Sequence, residues 1–153
     1  MDALDHSEIE IEPRPTPQQI QPASLDVRLG GELYDCDDDA YMKGVDSHVL
    51  HPNTRYLGHT KESVTLPNDI AAQLTGRSTI GRLGIIVHKT AGWIDPNFSG
   101  EITLELMNMG NEPVRLDVGQ RVAQLVFFQL DQSSSGYSGQ YQGQTGIEKA
   151  GDV

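Results

Sequence analysis

The segment Glu101-Ile102-Thr103-Leu104-Glu105-Leu106-Met107 alternates polar and apolar side chains with a period of two. Only an extended strand sends successive residues to opposite faces. Ile102, Leu104 and Leu106 are therefore expected to fill a core while Glu101, Thr103 and Glu105 share the other face. The same alternation runs from Ser24 to Leu29, where Leu25, Val27 and Leu29 interleave with Ser24, Asp26 and Arg28. Residues 64–66, 83–88, 114–116 and 121–129 read as further strands, separated by Gly, Pro or Asn turns. Sixteen glycines and eight prolines supply that punctuation, and they favour short strands over a helical bundle. The expected fold is all-β. One exception is the stretch after Pro67-Asn68-Asp69, where an N-cap and the exit at Gly76 predict one or two helical turns over residues 70–74.

The 153 residues fit one domain. Residues 1–20, with Pro13, Pro15 and Pro17, read as an extended arm that packs on a neighbour or is mobile. Residues 21–132 form the β domain. Residues 133–153 are rich in Ser, Gly and Gln yet carry Tyr137 and Tyr141, and read as a flexible lid or a disordered end. A single cysteine, Cys36, excludes an internal disulfide and any multi-cysteine zinc site, which makes the cytoplasm the default compartment. No leader-like opening and no apolar run near the roughly 20 residues that span a bilayer are present, so a soluble protein with no membrane partner is expected. His6, His48, His51, His59 and His88 lack metal-ligand spacing and read as structural or surface groups. Asp35, Asp37, Asp38 and Asp39 read as a solvated loop, matching no calcium-binding pattern.

The formal net charge of -11 argues against binding a nucleic-acid polymer, whose backbone demands a broad positive face. Only four of the basic residues are lysines, a composition suited to high salt. Yet from Ile70 to Ile94 there is no acidic residue, while Arg77, Arg82 and Lys89 are all positive. A basic window inside an acidic chain points to a small, locally held polyphosphate. Plainer readings stand beside it. Arginines in an acidic protein pair with carboxylates, Asp95 before Pro96 initiates turns, and most strand glutamates such as Glu105 simply face solvent.

Four ordered blocks, QPASLDVRLG (21–30), GRSTIGRLG (76–84), VHKTAGWIDPNFSGEITLEL (87–106) and YQGQ (141–144), resemble the dCTP deaminase family within the trimeric dUTPase superfamily. The resemblance implies a distorted β-barrel, a homotrimer with active sites shared between subunits, and hydrolytic deamination of dCTP at cytosine C4 without a catalytic metal. A zinc-dependent nucleobase deaminase needs an H-x-E and P-C-x-x-C ligand set, which one cysteine cannot supply. Carried onto this chain, the resemblance makes Glu105 the proton shuttle for the attacking water, with Ser78 and Arg82 holding that water and the base. Arg77 and Thr79, in the backbone run from Arg77 to Arg82, would cradle phosphates. Asp95 would meet the sugar 3′-hydroxyl, Thr103 and Leu104 the base, and Gln124 a phosphate. Tyr137 and Gln144 would sit on a lid over the triphosphate.

Gly92-Trp93 decides a subdivision. Strictly deaminating bacterial members carry a His-Arg pair there, whereas members that also cleave dUTP carry Gly followed by an aromatic, so this chain resembles the bifunctional, dUMP-forming branch. That branch implies Mg²⁺ carried by the nucleotide triphosphate, no catalytic zinc, and an added role for Asp95 in orienting a second water toward the α-phosphorus. dTTP is the implied feedback inhibitor. The alternatives are a deaminase that releases dUTP and a non-catalytic nucleotide-binding regulator. Trp93 read without the family is a core or interface aromatic. Gln140 stands where the family usually has a lysine, and the Tyr137 to Tyr141 spacing is short, so the lid departs from the common pattern.

Overall fold

The alternating segments pair into three sheets in the computed structural model, which describes residues 9–151. His6 and the first eight residues of the arm lie outside the described residues. The strands are β1 (Glu10–Glu12), β2 (Leu25–Arg28), β3 (Leu33–Asp35), β4 (Ala40–Met42), β5 (Ser47–Leu50), β6 (Arg55–Thr65), β7 (Ile70–Gly76), β8 (Ile85–Ile86), β9 (Trp93–Ile94), β10 (Ser99–Asn108), β11 (Val114–Asp117) and β12 (Arg121–Gln129). One sheet runs β4-β3-β6-β10-β8 with β1 also on β6, a second runs β2-β12-β7-β9, and β5 pairs with β11. All of these strand pairs are antiparallel. Among the described residues the ladders form three sheets around a shared core, and they do not close into the expected barrel.

β10 shows why. Its residues alternate without exception between buried and half-buried, with Ile102, Leu104 and Leu106 inside. They meet Leu25, Val27 and Leu29 of the β2 segment, Leu74 of β7 and Leu125 of β12 in one core. Each such leucine contributes roughly 1.5–3 kcal/mol on burial. Between Glu101 and Thr103 the pairing with β6 slips, and Thr60 stitches the bulge by accepting from Ile102 N at 2.9 Å and donating to Glu62 O at 2.7 Å. The bulge also lets Thr60 bridge to Leu29, joining two sheets.

The helix forms elsewhere than expected. Residues 70–74 belong to β7, which pairs with β12 from Ile70 opposite Gln129 to Gly76 opposite Ala123. Ala71, Ala72 and Leu74 are buried there, and a continuous ladder outweighs a cap-like sequence. The one short α-helix among the described residues, α1 (Ser78–Arg82), follows immediately. Arg77 is its N-cap in extended backbone, and Gly84 at φ +88° turns the chain out of it. Leu83 caps that helix, which shortens the expected strand over 83–88 to Ile85–Ile86.

The described part of the arm docks on its own chain. β1 pairs with Ser63 to Thr65 of β6, burying Ile9 and Ile11, before the proline-rich stretch leads to a 3₁₀ turn at Pro17–Gln19. Gln19 is buried and donates to Glu62 Oε1 at 2.9 Å, where Arg28 Nε also binds at 2.6 Å. No helix among the described residues is long and apolar enough to cross a membrane.

Candidate active site

Glu105 and Thr103, on the outward face of β10, line a cavity of about 500 Å³. Leu57, Leu74, Ile94, Phe98 and Ile102 give it apolar walls. Such walls suit a flat ring, and the carboxylate and hydroxyl supply the few polar groups that orient one. Leu104 is fully buried in the core between them, so only its backbone is available to that face. Glu105 N is itself bonded to Val87 O at 3.0 Å, which pins the strand against the loop that forms the next wall.

That loop carries Gly92, Trp93 and Asp95, all lining the cavity. A Cβ at Gly92 would stand 2.6 Å from Leu74 O and 2.9 Å from His88 Nε2, so any side chain there forces β7 or His88 to move. Gly92 O also accepts from Leu74 N at 2.7 Å, fixing the loop to β7. Trp93 is more than half exposed, stacks on Phe128 with centroids 5.5 Å apart, and donates from Nε1 to Asp95 Oδ1 at 3.1 Å. Trp93 and Asp95 also border a second cavity with the serine-rich residues 134–138. The indole thus aims the carboxylate between the two spaces. His88 Nδ1 is buried without a partner, one of two such side-chain atoms among the described residues.

The tail closes the third side as an irregular strap. Tyr137 N donates to Pro96 O at 2.7 Å and its ring packs on Phe98, while Glu101 N donates to Gln144 O at 2.9 Å. The Gln144 backbone lies flat on Gly100, where a Cβ would sit 2.8 Å from its oxygen. Tyr137, Tyr141 and Gln144 all line the cavity, as do Glu148 and Ala150 beyond the YQGQ block. Gly146 N donates to the Glu101 carboxylate, Glu148 N to Thr103 Oγ1 at 3.2 Å, and Lys149 Nζ sits 3.8 Å over the Tyr34 ring beside Asp39. Asp39 is held below the usual carboxylate range, first by the Tyr34 hydroxyl and then by Lys149.

The remaining expected residues lie apart from this cavity. Ser78, Thr79 and Arg82 are exposed on α1, and neither they, Arg77 nor Gln124 line it. Arg77 binds the buried Asp26 carboxylate at 2.9 Å and donates from Nη1 to Arg121 O at 3.0 Å. Gln124 donates to Gly76 O at 3.2 Å and accepts from Ser24 Oγ at 3.1 Å, tying β12 to the start of α1. Asp26 sits in the QPASLDVRLG block as a polar residue that alternation assigns to the open face of its strand, yet it is buried. β2 is buried on both faces, which the alternation of Ser24 to Leu29 does not reveal. Glu148 and Ala150 gave no signal, lying past every recognisable block.

Comparison with known proteins bears on what this arrangement serves. The family model described as dCTP deaminase-like matches residues 1–130. A protein named dCTP deaminase, dUMP-forming, from Kocuria rhizophila is 43% identical over 166 residues, covering 94% of this chain and 86% of that protein. One named dCTP deaminase from Natronomonas pharaonis is 41% identical over 168 residues with the same coverage. Among solved structures, the 2′-deoxycytidine 5′-triphosphate deaminase from Agrobacterium tumefaciens superposes with a TM-score of 0.69 at 24% identity, over 82% of this chain and 44% of that longer one. A Staphylococcus bacteriophage 80alpha dUTPase with dUPNHPP superposes at 0.60 and 16% identity, over 84% of this chain and 86% of that one.

Proposed function

The chain belongs to the dCTP deaminase family, and on that footing we propose that it is a hydrolase that deaminates dCTP and then cleaves the resulting dUTP to dUMP and pyrophosphate. The observation that carries the reading is the meeting of Glu105, Asp95, Trp93, Tyr137 and Gln144 around one cavity of a single chain.

On this reading the cytosine ring enters between the apolar walls, and Thr103 with the Leu104 backbone sets its edge. Glu105 takes a proton from a water that adds to C4. It passes that proton to N3 of the base, then carries the C4 hydroxyl proton to the amino group, which leaves as ammonia and gives dUTP. Asp95, aimed by Trp93, meets the sugar 3′-hydroxyl and in the second step orients a water toward the α-phosphorus, releasing pyrophosphate. Tyr137 and Gln144 close the strap over the nucleotide.

The groups that hold the attacking water and the phosphates, Ser78, Arg82, Arg77, Thr79 and Gln124, stand on the α1 side of the chain. A neighbouring copy in a homotrimer brings its α1 to this cavity and completes the site, because a charged, exposed, acid-free helix start suits a triphosphate held between subunits. Mg²⁺ carried on the triphosphate would be the metal of this reaction, with no residue of the chain required to hold it. Among the described residues no group of three or more His, Cys, Asp or Glu side chains could hold an ion by itself. When bound, the ion offsets charge on the phosphates during cleavage. On this reading dTTP competes for the same cavity as a feedback inhibitor, and the enzyme works in the cytoplasm.

Incubation of the purified protein with dCTP and Mg²⁺ is expected to release ammonia and pyrophosphate in equal amounts. The Natronomonas pharaonis relative, named as a dCTP deaminase without the dUMP-forming label, supports a second reading in which ammonia appears alone. Release of neither product would remove both.

A further inference from the structure

Asp26 lies in β2 with its side chain only 3% exposed, and one of its oxygens, Oδ2, binds two guanidiniums. Arg77 Nε stands 2.9 Å away and Arg121 Nη1 3.1 Å away. A buried carboxylate needs a cationic partner, since losing its water costs several kcal/mol. One arginine would meet that need. Two leave a net positive charge at the surface, and Arg77 and Arg121 are 23% and 36% exposed there. The pair sits where Arg77 caps α1 and Arg121 opens β12, and Arg77 Nη1 donates to Arg121 O at 3.0 Å. Each guanidinium has five N–H donors, and the contacts to Asp26, the Arg121 carbonyl and the Gln18 carbonyl engage only part of them.

We propose that Asp26 is a positioning residue that holds Arg77 and Arg121 as one cationic fork at the entrance of α1, and that Arg121 binds the polyphosphate beside Arg77. The inference rests on the reading of α1 as the phosphate-binding side of the site. A point charge on a flexible stem would not do the same work. Fixing two planar guanidiniums on one oxygen spares the entropy of ordering them when the nucleotide arrives. The fork acts on the phosphates beyond the first, so it separates dCTP from dCMP and leaves the base, sugar and α-phosphate contacts untouched.

The test measures binding of dCTP and of dCMP to the full-length wild type, Asp26→Asn and Arg121→Gln, with melting temperatures recorded alongside. The preference for dCTP over dCMP should fall on the order of tenfold in Asp26→Asn and several-fold in Arg121→Gln, with dCMP affinity unchanged. A purely structural role would lower the melting temperature while leaving that preference at its wild-type value, and this result in both variants would overturn the proposal. If Asp26→Asn does not fold, the half-exposed Arg121 decides the matter alone. Failure of the deaminase reading is seen separately, as absence of ammonia release by the wild type.

Discussion

Along β10, Thr103 and Glu105 look into a cavity whose other sides come from the loop before β10 and the tail of the same chain, whereas on α1 Ser78, Thr79 and Arg82 stand exposed. The first region is finished by local alternation and by backbone bonds within one fold. The second is held from behind, by Asp26 on Arg77 and by Gln124 on Gly76, and presents its front to whatever approaches. A single chain therefore keeps the cavity residues, the nucleoside half of the proposed site, apart from the α1 residues, its phosphate half. The difference is what the proposed assembly between copies requires, since one chain alone leaves the two groups of residues apart.

Substitutions that strike each half test the contrast. Glu105→Gln should abolish deamination, a fall of about 10³-fold, since general acid–base catalysis contributes roughly 10²–10⁴. Ammonia release at the wild-type rate would return Glu105 to the class of ordinary strand residues. Arg82→Ala in the other half should lower kcat/KM for dCTP by about 10²-fold without changing the melting temperature, because Arg82 is exposed on the free chain. A fall in stability with intact turnover would show Arg82 to be structural. Asp95→Asn should slow dUTP cleavage about tenfold or more and deamination less, read from the pyrophosphate to ammonia ratio. An unchanged ratio would leave Asp95 as the turn former before Pro96.

The smallest effect lies outside both regions, in β5. His48 in β5 is buried, and burial pushes its imidazole below the ordinary value of 6.5, opposed in part by a backbone hydrogen bond with Gly31. The unfolded chain then takes up a proton near pH 6.5 that the folded chain refuses, so stability falls as the pH drops from 6.5 toward the lower folded value. His48→Asn should reduce that acid loss, seen as a flatter melting temperature between pH 7 and 5. An identical slope in the variant would assign the acid sensitivity elsewhere.

The cavity face of β10 was legible in the sequence because period-two alternation is local, and Ile102, Leu104 and Leu106 had only one way to face a core. Gly92 was legible as a feature, and its reason, the Leu74 carbonyl and the His88 ring against its Cα, appears only in three dimensions. The helix was displaced by several residues because capping signals at Asn68 and Gly76 compete with a ladder to β12 that no local window contains. The Asp26 contact to Arg77 joins β2 to the start of α1, and nothing in either segment names the other. The strap over Gly100 and Thr103 was illegible for a different reason. It is irregular, so no periodicity records where its residues dock.

Mixing the two inactive variants tests the division most directly. Glu105→Gln and Arg82→Ala subunits, unfolded together and refolded at equal ratio, should regain about a quarter of the wild-type ammonia release, because random pairing across a heterologous interface rebuilds that share of intact sites. A mixture as inactive as either variant alone would mean that both groups act from one chain, and the account of two halves meeting between copies would be contradicted.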